Sequence, residues 1–149
     1  MKGSHPMATV DDRRETLRAA WLNRLSALVD SVQGWAEELG WSTRRIDKQM
    51  EDSQLGPYEA PALILQQDLT RVLLDPIASS APHTEGVVDL YRMPAYDDVA
   101  SLYYYDDNWH VHDQAAGTSS AAAIREAQAK PLSMETFREV LEELKRHVS

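Results

Sequence analysis

The sequence predicts an α+β fold: a long N-terminal helix, an antiparallel β-meander of four to six strands and a C-terminal helix, stacked as two layers with the helices on one sheet face. Three observations predict it. Apolar residues recur at steps of three and four from Asp11 to Gly40. Residues 87–112 alternate with period two between compact turns. A second helical period, opened by Ser133, runs toward the C-terminus.

The first helix carries Leu17, Trp21, Leu25, Leu28, Val32, Trp35 and Leu39 on one stripe, widened by Leu22, Val29 and Ala36. A stripe that wide suits packing on a sheet better than a narrow coiled-coil seam. Gly40 stands where a left-handed C-terminal cap belongs.

Beyond Gly40 the period changes. Trp41–Glu51 is charged and loosely alternating, as an edge strand is. Leu55-Gly56-Pro57 reads as a turn. Residues 62–74 read either as two short strands, Ala62–Leu65 and Val72–Leu74, or as part helix, ended by Asp75-Pro76. Residues 78–86 form a loop, and Val87–Met93, Val99–Tyr105 and Trp109–His112 are the clearest strands. Residues 114–131 read as a loop with a short helix over Ala121–Ala129. The final helix buries Phe137, Val140, Leu141, Leu144 and Val148. Residues 1–6 have the character of an expression leader, which leaves 7–149 as a single domain.

Composition removes several functions. There is no cysteine, hence no disulfide, thiolate nucleophile or Cys-based zinc site. No apolar run reaches membrane-span length, and a cytoplasmic location fits. Net charge is −9; residues 51–149 hold 7 Lys/Arg against 17 Asp/Glu. Direct nucleic-acid binding is disfavoured, and a basic protein partner suits the charge. Neither a Gly-rich phosphate loop nor a Gly-x-Ser-x-Gly elbow occurs.

The meander holds the candidate site. With Asp107-Asn108 as a two-residue turn, Tyr105 pairs with His110 and Tyr103 with His112. With residues 94–98 as a loop, Tyr91 pairs with Ser101 and Asp89 with Tyr103. Both hairpins put Val88, Leu90, Leu102 and Val111 on the core face, and Asp89, Tyr91, Tyr103, Tyr105, His110 and His112 on the other. That second face reads as a surface for a partner or ligand, on which exchanging Tyr103 and His112 together for Ser leaves the fold intact and weakens binding, or as a plain solvated face on which Tyr and His simply suit a strand. His110-x-His112, with Asp89 or Asp113, has too few donors to hold a metal, and no cofactor is expected. The reading is a small acidic, non-enzymatic interaction module: an adaptor, chaperone or inhibitor. The alternative is a small-ligand domain or cofactor-free enzyme on the same face.

Overall fold

Helix α1 (Val10–Glu38) forms where the apolar steps of three and four run. It stops at Gly40, whose φ of 89° lets Gly40 N–H bond Glu37 O at 3.1 Å and Trp41 N–H bond Ala36 O at 2.9 Å. The chain then runs through β1 (Ser42–Asp52), β2 (Gly56–Gln67), β3 (Thr70–Ala78), β4 (Val87–Met93), β5 (Asp97–Tyr105), β6 (Asn108–Asp113) and β7 (Lys130–Pro131). Helix α2 (Met134–Arg146) closes it. The computed structural model describes residues 10–94, 97–113 and 129–146, with side chains except at 10–11, 97–99 and 113. The expected leader, residues 121–128 of the expected short helix, and Val148 lie outside the described residues.

The seven strands form one antiparallel open sheet in chain order. Both helices cover one face, so the α+β class and two-layer arrangement are as expected. The core joins Trp21, Leu25, Leu28 and Val32 of α1 to Leu90, Leu102 and Val111 of the meander and to Phe137, Leu141 and Leu144 of α2. Tyr104 packs against it half-buried. Ser133 caps α2: its Oγ accepts from Thr136 N–H at 3.2 Å. Leu17 departs from the expected stripe, being 41% exposed, so the buried part of α1 begins at Trp21.

The sheet is longer than the sequence suggests. β2 starts at Gly56 rather than after a turn at 55–57, and contains both Pro57 and Pro61. Proline discourages a strand reading because it has no N–H to give. Here β2 pairs with β3 only over Leu63–Gln67, so the ring nitrogens of Pro57 and Pro61 need no partner on that side. The residues 62–74 are two strands, and Asp68 (φ 54°) turns the hairpin. β3 passes through Asp75-Pro76 to Ala78, with a register shift after Pro76.

Both meander registers differ by two residues from the sequence reading. The β5–β6 turn is Asp106-Asp107, with φ of 52° and 60°, not Asp107-Asn108. Tyr103 therefore faces His110, and Ser101 faces His112. In β4–β5, Asp89 faces Ser101 and Val87 faces Tyr103. Side chains repeat every two residues, so a slip of two leaves every residue on its expected face.

Helix α1 is held to the sheet by close contact at Gly86. A Cβ there would lie 2.7 Å from Trp21 Cζ3 and 3.3 Å from Trp109 Cη2. Gly86→Ala should therefore cost about 1–3 kcal/mol, as overpacking does. Leu28→Ala, which empties a buried site, should cost about 2–5 kcal/mol. Urea unfolding of both variants is the check, and midpoints equal to wild type would contradict this packing.

Candidate functional site on the uncovered sheet face

Cross-strand pairing fixes a polar row across the sheet. Asp75 on β3 stands opposite Asp89 on β4, Asp89 opposite Ser101 on β5, and Ser101 opposite His112 on β6. Opposed residues share a face. Their chain neighbours Leu74, Leu90, Leu102 and Val111 lie in the core, so the row lies on the face away from the helices. Two residues along, Tyr103 faces His110. Asp89, Tyr91, Tyr103, Tyr105, His110 and His112 are thus all brought to one face.

That face is not evenly solvated. His112 is 1% exposed, Ser101 3% and Tyr105 8%, while Tyr91, Tyr103 and His110 are half-buried. Its rings pack on one another. The Tyr103 ring meets His112 edge-on at 6.4 Å, and Tyr105 stacks on His110 at 3.8 Å with 8° between planes. His112 is therefore part of the packing, and exchanging it for Ser should disturb the fold.

Asp89 is the hub of the row. Ser101 Oγ donates to its Oδ1 at 2.8 Å, and Tyr91 Oη donates to Oδ2 at 3.1 Å. Burial pushes the Asp89 carboxyl above the usual carboxylate range. The hydrogen bonds from Ser101 and Tyr91 pull it back, the facing Asp75 raises it further, and Lys48 lowers it. Lys48 reaches in from β1, where β2 and β3 separate beyond the Leu63–Leu74 pair. Its Nζ donates to Asp75 Oδ1 at 2.7 Å and to Pro76 O at 2.8 Å.

Lys48, Asp75 and Ser101 were not marked by the sequence. Asp75 was obscured by the proline after it, and Lys48 by the even spread of charge along β1. The available signal was alternation: Asp75 continues the period of Leu73, and Ser101 that of Tyr103.

Two concavities flank these features. One, on the same face, has about 290 Å³ and is lined by Arg44, Ile64, Gln66 and Arg71 among others. The other, about 340 Å³, lies on the helix side between Arg24, Trp35, Tyr104 and Trp109. There the Arg24 guanidinium lies 4.1 Å over the Tyr104 ring. Among the described residues no group of three or more His, Asp or Glu is arranged to hold a metal.

No family model, no curated protein and no solved structure matches the chain.

The raised Asp89 makes stability depend on pH. The unfolded carboxyl titrates at about pH 4 and the folded one above it. Between the two, the folded chain holds the extra proton, so stability falls as pH rises and the loss is complete above the folded pKa. Asp89→Asn removes this loss and leaves Ser101 and Tyr91 an amide to bond. Relative to wild type, the variant should gain stability as pH rises from about 4 and level off once the folded carboxyl has ionised. Unfolding midpoints against pH check it, and a difference constant with pH would show that Asp89 is not held protonated by the fold.

Proposed function

We propose that this protein is a small, non-enzymatic interaction module that binds another protein through the uncovered face of its sheet. The observation that carries the reading is the arrangement of Tyr91, Tyr103 and His110, half-exposed rings standing beside a polar row that is already packed and hydrogen-bonded. Aromatic groups held rigid before binding lose little entropy on contact, which is why such residues anchor interfaces. The net charge of −9 favours a basic partner.

A second reading has one specific observation in its favour. A carboxyl held above its usual range, with a serine and a histidine in the same row, is a setting for acid–base chemistry on a small ligand.

Binding and folding are separable on this face. Tyr103→Ser should lower the melting temperature modestly, because it uncovers the His112 ring, leave the chain folded, and weaken partner binding about tenfold or more, the ordinary effect of removing an interface tyrosine. Calorimetry with the isolated partner, paired with thermal melts, measures both. Undiminished binding by the Tyr103 variant would remove the interface from this face. Turnover abolished by Asp89→Asn would favour the second reading.

A further inference from the structure

The β2–β3 hairpin decides which way the backbone of β1 points. Gln67 and Thr70 close a two-residue turn at Asp68-Leu69, so they form a hydrogen-bonded pair. Odd-numbered residues of β2 then direct N–H and C=O toward the β3 side, and even-numbered ones toward β1. Pro57 and Pro61 sit at odd positions, where β1 asks no N–H of them. Even residues of β2 face even residues of β1. The odd residues of β1 (Thr43, Arg45, Asp47, Gln49 and Glu51) therefore turn their backbone outward. β1 is the terminal strand of the sheet, so among the described residues this edge pairs with nothing. An open edge of eleven residues is a template for another strand.

We infer that β1 pairs with β1 of a second copy, antiparallel about a two-fold axis through Lys48. The occupant follows from charge. A two-fold axis normal to the sheet must pass through a residue, and three central registers are open. With Asp47 on the axis, two Asp47 carboxylates oppose each other. With Gln49 on the axis, Asp47 opposes Glu51. With Lys48 on the axis, Arg45 opposes Glu51, Arg44 opposes Asp52 and Ile46 opposes Met50, each twice by symmetry. Opposite charges across a strand pair stabilise it and like charges destabilise it. The two Lys48 side chains do not collide, because each Nζ is tied to Asp75 on the far side of β2. Arg45 also pairs with Asp30 of its own helix, and a guanidinium has donors enough for both. The charges that blunt this edge against general pairing thus favour one of the three central registers. The dimer joins two seven-stranded sheets into one, with both Tyr/His faces on the same side.

Sedimentation of the full chain tests this. Wild type should associate to a dimer, and high salt should weaken it. Arg45→Glu and Glu51→Arg each place like charges opposite twice, and should each weaken the dimer about tenfold or more. An equimolar mixture of the two variants should recover it. In the mixed dimer the two introduced side chains face each other with opposite charge, and the native Arg45–Glu51 pair remains at the symmetry-related position. Gln49→Pro removes an outward N–H without changing charge and should also abolish association, with circular dichroism verifying that the chain is folded. A monomeric wild type, a variant that dimerises as well as wild type, or a mixture that stays monomeric would each overturn the inference.

Discussion

Trp21 has to bury a large ring and an N–H donor together, and the rest of the fold is arranged around how it does so. Its Nε1 donates to Tyr58 Oη at 3.0 Å, which satisfies a buried donor on α1 and occupies a buried hydroxyl on β2. Its ring lies 6.5 Å from that of Trp109 on β6. Between them passes Gly86, where no side chain fits. The segment at Gly86 is itself clamped to β5: Glu85 N–H bonds Tyr104 O at 2.7 Å, and Tyr104 N–H bonds Gly86 O at 2.9 Å. One turn along α1, Arg24 donates to Glu85 O and lies on the Tyr104 ring. One side chain thus gathers β2 and β6 against the helix, and the helix cannot slide without exposing the indole or orphaning its N–H.

That commitment of one face is what makes the other face informative. Both helices are used up on the core side, so the polar row from Asp75 to His112 receives no cover from them. A buried carboxylate facing a second carboxylate is expensive, and the chain answers with local donors: Ser101 and Tyr91 for Asp89, Lys48 for Asp75. An ordinary solvated sheet face has no need of such compensation.

Alternation carried most of this into the sequence. Period two marks faces, and Leu90, Leu102 and Val111 against Asp89, Tyr103 and His110 state the faces without ambiguity. Register is a finer quantity, and it rests on turn chemistry. Asp106-Asp107 and Asp107-Asn108 are both acceptable left-handed pairs, and choosing between them by sequence changes partners without changing faces. Pro57 and Pro61 concealed the first half of β2 for a different reason. Proline argues against a strand bonded on both sides, and β2 is bonded on one side there. The row's depth was illegible because burial of Ser101 and His112 depends on packing across several strands, which no local pattern encodes.

Lys48 ties the two outward-facing features of the molecule together. Its backbone belongs to the edge strand and its ammonium to the polar row, reaching Asp75 past β2 where β2 and β3 part. Lys48 in turn draws the Asp89 carboxyl down, against the burial and the facing Asp75 that push it up. The ammonium that Asp75 holds inward thus offsets part of the repulsion between the two facing carboxyls. An edge strand with that ammonium drawn in presents less positive charge at its centre than its sequence shows. The electrostatics of the edge are in this way set partly from the sheet's interior row.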